Sequence, residues 1–270
     1  MGDCLNILYA VIAVGAIGVL CGIVLAVASR FLTVKVDERV ARLTEILPGV
    51  NCGACGFSGC GAYAHALVFD AAPANACPPG GAAAARAIGE ILGVSVEDVA
   101  AKLPVVYCMG DFEARLRKID YSGVNTCAAA KLLYGGPNAC AYGCMGLGDC
   151  LAACKFGALC LDSGLPRVDA GKCTGCMLCQ TACPNNIIVL EELDGKAFVG
   201  CRNTEKGAVV RKKCSAGCIA CTKCVRECPE KAISMLDNLA RVDAAKCVGC
   251  GKCVEVCVTK CVGIRNEVPL

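Results

Sequence analysis

The sequence predicts an α+β fold in which one N-terminal transmembrane helix is followed by small modules stabilised by bound metal rather than by one large apolar core. Three observations support this class. Residues 5–28 form an almost unbroken apolar stretch. The chain has 28 cysteines among 270 residues but only 4% aromatic residues, which are too few for one large packed core. Finally, one cysteine spacing occurs twice, 74 residues apart, at Cys173–Cys183 and Cys247–Cys257.

The repeated spacing is C-x2-C-x2-C-x3-C, and Pro184 follows its first copy. Bacterial ferredoxins hold 4Fe-4S clusters with this spacing, three thiolates binding one cluster while the fourth binds a second cluster. One run therefore requires a partner run, and a group of four cysteines stands upstream of each copy. The sequence thus predicts two tandem bacterial ferredoxin-like units, each with two 4Fe-4S clusters.

The first 30 residues are predicted to be a transmembrane anchor. No charged residue lies between Asp3 and Arg30, and about 22 helical residues span roughly 33 Å, enough to cross a bilayer. A cleaved signal peptide is disfavoured, because no basic residue precedes a stretch that exceeds the usual roughly 7–15 apolar residues. Basic residues follow the stretch from Arg30 to Arg42, so a single pass through the cell (inner) membrane would leave the cysteine-rich part on the cytoplasmic side.

Residues 31–104 are predicted to be a small helical domain with one cluster. Apolar residues recur at helical spacing from Val36 to Leu47, which predicts an amphipathic helix that ends at Pro48. A glycine-rich loop follows, and glycines let backbone N–H groups approach an anionic cluster. The predicted ligands of this single 4Fe-4S site are Cys52, Cys55, Cys60 and Cys77.

The remaining chain is predicted to divide into a linker (105–136), ferredoxin unit 1 (137–200), a connector (201–213) and ferredoxin unit 2 (214–270). The first cysteine group of unit 1 has x3, x5 and x3 gaps in place of x2, x2 and x3. Short hairpins are expected in both units. Their strands would be residues 158–162 with 166–169, 232–236 with 240–243, and 187–192 with 196–200, the last pair around Asp194 and Gly195.

Cross-ligation within each unit assigns sixteen further cysteines to four clusters. The predicted sets are Cys140, Cys144, Cys150 with Cys183; Cys173, Cys176, Cys179 with Cys154; Cys218, Cys221, Cys224 with Cys257; and Cys247, Cys250, Cys253 with Cys228. Four of the remaining cysteines flank the first unit, and they could hold a sixth cluster or be buried free thiols. These are Cys108, Cys127, Cys201 and Cys214. The cysteines that we do not expect to be ligands are Cys4, Cys21, Cys160 and Cys261.

Two other uses of so many cysteines are disfavoured by the spacing. Triplets of thiols three residues apart suit one metal centre better than several disulfide bridges. Zinc sites use paired C-x2-C units, but they need neither the third nor the fourth cysteine of these runs.

Charge and motif content exclude several functions for this chain. The formal charge of +3 counts thiols as neutral, whereas a 4Fe-4S cluster with four thiolates carries about −2, so six clusters would bring the protein to about −9. Apparent basicity is therefore no sign of a nucleic-acid partner. No G-x-G-x-x-G lies between a predicted strand and helix and no P-loop is present, so we expect neither catalytic residues nor an NAD site on this chain.

Two stretches are more specific than ferredoxin spacing alone, namely Tyr142–Cys150 and Arg211–Ile219. Together with the anchor, the single-cluster module and two ferredoxin units, they make nearly the whole chain resemble the B subunit of the bacterial Rnf complex. The chain departs from the pattern at Lys155 and Val258, where proline would follow the fourth cysteine of a run.

This resemblance implies a subunit of a translocase that moves electrons between reduced ferredoxin and NAD and couples the transfer to Na⁺ or H⁺ movement. Its partners would be soluble ferredoxin and other membrane and peripheral subunits, and its cofactors five to six 4Fe-4S clusters. The alternatives are an anchored polyferredoxin that serves another reductase or hydrogenase without ion pumping, and a zinc-holding assembly scaffold. The basic residues from Lys206 to Lys213 would either compensate cluster charge or form a docking surface for an acidic redox partner.

Overall fold

The computed structural model describes residues 2–31, 37–96, 102–192 and 194–265. The helices in these ranges are α1 (Gly2–Phe31), α2 (Glu38–Ile46), α3 (Cys60–Phe69), α4 (Gly81–Leu92), α5 (Cys127–Leu132), α6 (Asp149–Ala152), α7 (Leu178–Ala182), α8 (Gly207–Lys213), α9 (Lys223–Arg226) and α10 (Lys252–Glu255). The strands are β1 (Lys102–Val106), β2 (Leu159–Asp162), β3 (Leu165–Val168), β4 (Ile188–Glu192), β5 (Ala197–Val199), β6 (Ile233–Leu236), β7 (Leu239–Val242) and β8 (Val262–Ile264).

Helix α1 has the length and composition of a membrane span. Its window Ile12–Arg30 has a mean hydropathy of 2.5, and none of that window is buried inside the protein. Large apolar side chains such as Val14 and Leu25 are about 70% exposed. An isolated helix with apolar residues on all its faces is stable in a bilayer, which fits a membrane anchor.

The small domain after α1 is helical, as predicted. Helix α2 begins after Asp37, whose carboxylate accepts a hydrogen bond from Arg39 N at 2.9 Å. The predicted start of this helix at Val36 lies outside the described residues. Its apolar face packs on α3 and α4 around a core of Val40, Leu43, Leu47, Tyr63, Ala64, Leu67 and Ile88.

The eight strands of the described ranges form four two-stranded antiparallel sheets, β1–β4, β2–β3, β5–β8 and β6–β7. The two hairpins expected over 158–169 and 232–243 are confirmed as β2–β3 and β6–β7. Both turns have two residues with positive φ, Ser163–Gly164 and Asp237–Asn238. This geometry is that of a type I′ turn, which matches the twist of the flanking strands.

The third expected hairpin, residues 187–192 with 196–200, is wrong. Strand β4 pairs with β1, and β5 pairs with β8. The reason is that the two strands belong to different cores: Ile188 of β4 packs in one, and Val199 of β5 packs in the other. The segment between them is fixed by Arg265, which is 8% exposed and binds Glu191 at 2.7 Å and Asp194 at 3.1 Å.

Strand pairing therefore defines two units. Residues 102–192 are here called the first repeat, and residues 197–264 are called the second repeat. Each begins with one strand, encloses one hairpin and ends with the strand that pairs with the first. Unlike the second repeat, the first contains a long insertion after its opening strand that carries α5.

Candidate iron-sulfur sites

From Cys140 to the last cysteine run, equivalent positions of the two repeats are separated by 74 residues in the sequence. Cys140 corresponds to Cys214, and both open the pattern C-x2-G-C. The other cysteine pairs at this interval are Cys144 and Cys218, Cys150 and Cys224, Cys154 and Cys228, Cys173 and Cys247, Cys176 and Cys250, Cys179 and Cys253, and Cys183 and Cys257. Among the predicted ligands in this range, Cys221 is the exception, because its counterpart is Leu147.

Three of the predicted ligand sets are brought together as expected. Each set of four thiols lines one cavity of about 330–360 Å³. The sets are Cys154 with Cys173, Cys176, Cys179; Cys228 with Cys247, Cys250, Cys253; and Cys257 with Cys218, Cys221, Cys224. In each, the fourth cysteine of one run faces the first three of the other run, which is the arrangement that cross-ligation requires.

The fourth set differs from the prediction, because Cys127 takes the place expected for Cys140. Cys127, Cys144, Cys150 and Cys183 line a cavity of about 380 Å³. The run has Leu147 where the second repeat has the thiol of Cys221, so the loop itself supplies one thiol fewer. Cys127 supplies a sulfur there from outside the run, and Leu147 packs against the apolar cluster that contains Cys127.

Helix α5 holds Cys127 in this position through contacts at both of its ends. Asp149 accepts hydrogen bonds from the backbone N–H groups of Cys127 at 2.7 Å and Ala128 at 2.9 Å. Lys131, in the last turn, donates to the carbonyl oxygen of Pro184. The first contact fixes Cys127 beside Cys150, and the second fixes α5 beside Cys183. Asp149 thus has a positioning role that the cysteine spacing does not reveal.

The set expected for a sixth cluster is corrected by the same exchange. Cys108, Cys201 and Cys214 line one cavity of about 310 Å³, and its fourth thiol is Cys140 rather than Cys127. The residue pairs 74 apart could have revealed this grouping in the sequence, since they match Cys140 with Cys214 and Cys144 with Cys218. The gaps between cysteines within each run do not indicate this grouping.

The small domain gathers its four cysteines at the ends of α3 and α4. Cys60 opens α3, and its backbone N–H donates to Asn51 Oδ1 at 2.8 Å. Burial raises the pKa of Cys77, and the nearby thiols of Cys55, Cys60 and Cys52 raise it further. All four predicted ligands of this domain are therefore neighbours.

Burial disfavours the thiolate form at several cysteines of these cavities. Burial, followed by the effect of neighbouring thiols, raises the pKa of Cys144 and Cys150 to about 12 and that of Cys179 and Cys224 to about 11. Four thiolates can be held together there only by a centre that carries positive charge, such as an iron-sulfide core. The donor set and the cavities fit a 4Fe-4S cluster.

Backbone amides also point at ligand sulfurs. Ala158 N donates to Cys154 Sγ at 3.4 Å, and Ala232 N donates to Cys228 Sγ at 3.3 Å, which is the equivalent bond in the second repeat. Hydrogen bonds to cluster sulfurs raise the reduction potential by stabilising negative charge. Within the described ranges, no three His, Cys, Asp or Glu side chains converge as ligands of a single metal ion.

The four cysteines that were not expected to be ligands lie in different surroundings. Cys21 and Cys160 are exposed, and neither lines one of the cluster cavities described above. The structure does not describe the side chain of Cys4. Cys261 is buried, and it lines the cavity of Cys218, Cys221, Cys224 and Cys257 as a fifth thiol, with its Sγ 3.7 Å from Cys257 Sγ.

Comparison with protein families supports iron-sulfur binding in three regions. Residues 47–79 match a family described as "Putative Fe-S cluster". Two families described as "4Fe-4S dicluster domain" match residues 172–233 and 209–258. The match over 172–233 extends from the last run of the first repeat into the second repeat. It therefore follows cysteine spacing along the chain rather than strand pairing.

Three relatives are similar over most of the chain, and each is the B subunit of a named complex. The one from the "Ion-translocating oxidoreductase complex" of Methanosarcina acetivorans is 38% identical over 85% of this chain and 88% of its own length. The one from the "Na(+)-translocating ferredoxin:NAD(+) oxidoreductase complex" of Acetobacterium woodii is 40% identical over 86% of this chain and 70% of its own length. The one from the "Proton-translocating ferredoxin:NAD(+) oxidoreductase complex" of Clostridium ljungdahlii is 39% identical over 84% of this chain and 81% of its own length.

Proposed function

This chain belongs to the family of B subunits of ion-translocating oxidoreductase complexes, and on that premise we propose that it accepts electrons from reduced soluble ferredoxin and relays them within such a complex. The complex as a whole would act as a ferredoxin:NAD oxidoreductase coupled to Na⁺ or H⁺ transport. This chain supplies the electron path and no site for NAD. Each 4Fe-4S cluster, when bound, accepts and donates one electron.

The observation that carries this proposal is the continuity of the four-cysteine sites. Pro78, next to Cys77 of the small domain, lies beside Gly175 in the run of the first repeat: a Cβ on Gly175 would be 3.7 Å from Pro78 Cβ. Within the first repeat, Cys150 and Cys179 belong to different sites but to one hydrophobic core. In the second repeat, Cys224 and Cys253 share a core in the same way. Adjacent sites without intervening domains are what an electron relay needs.

Five ligand sets follow from this arrangement, and all of their cysteines except the exposed Cys250 are partly or fully buried. They are Cys52, Cys55, Cys60, Cys77; Cys127, Cys144, Cys150, Cys183; Cys154, Cys173, Cys176, Cys179; Cys218, Cys221, Cys224, Cys257; and Cys228, Cys247, Cys250, Cys253. The domains would be an anchor (1–30), a single-cluster domain from 31 to about residue 101, the first repeat and the second repeat. The pairing of β1 with β4 and of β5 with β8 supports these limits over boundaries at 137 and 214.

We divide the basic segment from Lys206 to Lys213 into one residue with a structural ion pair and two residues for docking. Lys213 forms a 2.6 Å ion pair with Glu205 and is partly buried, which is a structural role. Arg211 and Lys212 are exposed on α8, one turn from Cys214. We assign these two side chains to the docking of an acidic ferredoxin, because complementary charge speeds association.

The topology proposed for the chain places all cysteine sites on the cytoplasmic side. Arg30 lies in the last turn of α1, and Arg39 and Arg42 are exposed in α2 just beyond it. Cytoplasmic ends of membrane spans are enriched in such residues. Protease added to right-side-out cells should spare the part of the chain after residue 30, and its digestion from outside would contradict this orientation.

The function is tested with the detergent-solubilised complex under anaerobic conditions. Reduced ferredoxin should be oxidised with NAD⁺ as the acceptor, and this chain should co-purify with several multi-span membrane subunits. Purification without such partners, but with a hydrogenase or another reductase, would favour an anchored polyferredoxin. The double variant Arg211→Glu/Lys212→Glu should slow ferredoxin oxidation and reduce its dependence on salt, since charge steering is screened over about 10 Å at 0.1 M salt.

The matched control is Lys231→Glu/Lys260→Glu, which makes the same change in net charge at exposed positions elsewhere in the second repeat. It should leave the rate close to that of the unmodified chain. Equal slowing by both variants would remove the docking role of α8 and leave only an effect of total charge.

A further inference from the structure

The hydroxyl of Thr174 is buried and makes no hydrogen bond to any residue that the structure describes. Thr174 as a whole is partly buried. It lines one of the cluster cavities, here called the Thr174 site, with Cys154, Cys173, Cys176 and Cys179. Burying a hydroxyl without a hydrogen bond is unfavourable, and most buried polar side-chain atoms have a partner. An acceptor held inside the Thr174 site would satisfy this hydroxyl.

Two other parts of the chain cover the loop that carries Thr174. The next residue is the buried Gly175, where an added Cβ would lie 2.9 Å from the carbonyl oxygen of Lys102 in β1 and 3.7 Å from Pro78 Cβ in the small domain. Pro104, also in β1, lines the Thr174 site. Among the described residues, this cover keeps water from the hydroxyl without supplying an acceptor for it.

The second repeat has no hydroxyl at the equivalent position. The counterpart of Thr174, 74 residues later, is Val248, which is 66% exposed. Val248 lines the equivalent cavity, here called the Val248 site, with Cys228, Cys247, Cys250 and Cys253. The thiols differ in the same sense, since Cys176 is buried whereas its counterpart Cys250 is exposed. The more buried of the two sites is therefore the one with the additional hydroxyl.

Burial and hydrogen bonds have opposite effects on the reduction of a cluster. Reduction adds one negative charge, which burial disfavours and a donor to a cluster sulfur stabilises. Both sites have one backbone donor to a ligand sulfur, Ala158 N in the Thr174 site and Ala232 N in the Val248 site. The hydroxyl of Thr174 would be a further donor in the site where burial opposes reduction more strongly. A hydrogen bond is also electrostatically stronger in such a setting.

We propose that Thr174 Oγ1 donates a hydrogen bond to a sulfur of the 4Fe-4S cluster in the Thr174 site and so raises the reduction potential of that cluster. No covalent bond is made or broken, and the proton stays on Thr174. The inference rests on the proposed binding of a cluster at this site, but not on ferredoxin as the electron donor.

The position of the Thr174 site gives this hydrogen bond a role in the relay. Pro78 of the small domain approaches Gly175 on one side, and Cys179 shares a core with Cys150 of the neighbouring site on the other. A cluster between these sites with a potential far below those of its neighbours would slow electrons in either direction, because each transfer onto it would be uphill. The hydroxyl offsets the part of this barrier that burial causes.

The test is Thr174→Val, which removes the donor and keeps the shape of the side chain. The full chain, purified anaerobically in detergent, is titrated with chemical reductants and followed by magnetic resonance, without ferredoxin or NAD. The spectral component that Cys176→Ala removes identifies the cluster of the Thr174 site. At a fixed potential, its ratio of reduced to oxidised cluster should fall about fivefold in Thr174→Val, which lowers the midpoint by about 40 mV.

Two further substitutions separate the hydroxyl from the shape of the side chain. Thr174→Ser keeps the donor and should leave the midpoint close to that of the unmodified chain. Thr174→Ala removes the donor without any crowding and should lower the midpoint as Thr174→Val does. An unchanged midpoint in Thr174→Ala, or an equal decrease in Thr174→Ser, would overturn the proposal.

The matched control is Thr181→Val, the same substitution in the same repeat. Thr181 is exposed, and its hydroxyl donates to the carbonyl oxygen of Met177 at 3.3 Å. This variant should shift no midpoint, and a shift equal to that of Thr174→Val would refute a specific role of Thr174. Iron and sulfide content separates the two levels of the argument. An unmodified chain without iron would contradict cluster binding itself, whereas full iron with an unchanged midpoint in Thr174→Val would remove only the role of Thr174.

Discussion

Each of the two repeats lines a cavity with four thiols, but the two repeats do so by different routes. The difference shows that the thiols of a candidate site are gathered in space rather than by their spacing within one run. The second repeat takes three ligands from one continuous run, Cys218, Cys221 and Cys224. The first repeat has Leu147 at the middle position and takes Cys127 from a helix in its insertion. The insertion thus replaces a ligand rather than merely lengthening the chain.

This replacement requires supporting contacts that the second repeat lacks. Asp149 binds the start of α5, whereas its counterpart in the second repeat is the exposed Lys223. Arg115, also in the insertion, is 6% exposed and donates to the carbonyl oxygens of Cys144 and Gly164. The first repeat therefore depends on distant residues for a site that the second repeat builds locally.

The largest expected effect comes from converting the first repeat to the design of the second. Cys127→Ser should remove one cluster, about four irons per chain, because it leaves three ligands. Adding Leu147→Cys to that variant should restore the iron, since residue 147 occupies the position of Cys221. Iron and sulfide analysis of the anaerobically purified chains measures both steps.

The reciprocal change supplies the control for this rescue. Cys221→Leu combined with Cys261→Ala should lower iron by about four, because the second repeat has no α5 equivalent among its described residues and the fifth thiol of the cavity is also removed. Failure of Leu147→Cys to restore any iron, in a chain that otherwise keeps its other clusters, would contradict the correspondence between residues 147 and 221.

A second, smaller difference concerns the turn of each hairpin. Arg115→Ala should destabilise the first repeat by about 2–4 kcal/mol, because it removes two hydrogen bonds from a charged group and the stacking of the guanidinium on Phe112, 4.7 Å from the ring centre. At the position equivalent to Gly164, Asn238 donates a single bond to Thr204 O at 3.1 Å. Asn238→Gly, which tolerates the positive φ of this turn position, should therefore reduce the free energy of unfolding by only about 1 kcal/mol.

Urea titration under anaerobic conditions, followed by cluster absorbance and circular dichroism, compares the two variants. Equal shifts of the midpoint would show that Arg115 supports the first repeat no more than Asn238 supports the second.

Much of this organisation could be predicted from the sequence, because ligand spacing within a run is a local property. The runs that start at Cys173, Cys218 and Cys247 predicted three of the cavities, and the apolar stretch predicted α1. The pairing of β1 with β4 could not be predicted, because a strand before a long insertion carries no signal for its distant partner. The role of Cys127 depends equally on a contact across 22 residues, Asp149 with the start of α5. Only the residue pairs 74 apart in the sequence mark Leu147 as the substituted ligand.

Asp149 should show an effect of intermediate size. Asp149→Ala removes acceptors from two backbone N–H groups at the start of α5, which is expected to cost about 1–2 kcal/mol and to loosen Cys127. Iron should then be released faster to a chelator from one cluster only. Lys223→Ala, the equivalent change in the second repeat, should alter neither quantity, and equal iron loss in the two variants would contradict the positioning role of Asp149.

The smallest expected effect concerns the fifth thiol of the second repeat. Cys261 lies 3.7 Å from Cys257, and the equivalent residue in the first repeat is the buried Ile187. The hydrogen bond with Cys261 lowers the pKa of Cys257 to about 5, whereas the bonds with Cys218 and Cys257 raise the pKa of Cys261, so Cys261 remains the protonated donor. A donor to a ligand sulfur stabilises the reduced cluster.

Cys261→Ala should therefore leave iron content unchanged and lower the potential of one cluster by about 40 mV, the one-electron equivalent of a hydrogen bond of about 1 kcal/mol. Cys261→Ser keeps a donor and should shift the potential less. Ile187→Cys makes the opposite change, and it should raise the potential of the cluster held by Cys127, Cys144, Cys150 and Cys183. Redox titration followed by magnetic resonance measures these shifts. A loss of about four irons in Cys261→Ala would instead make Cys261 a ligand, and the two repeats would then differ in two ligands rather than one.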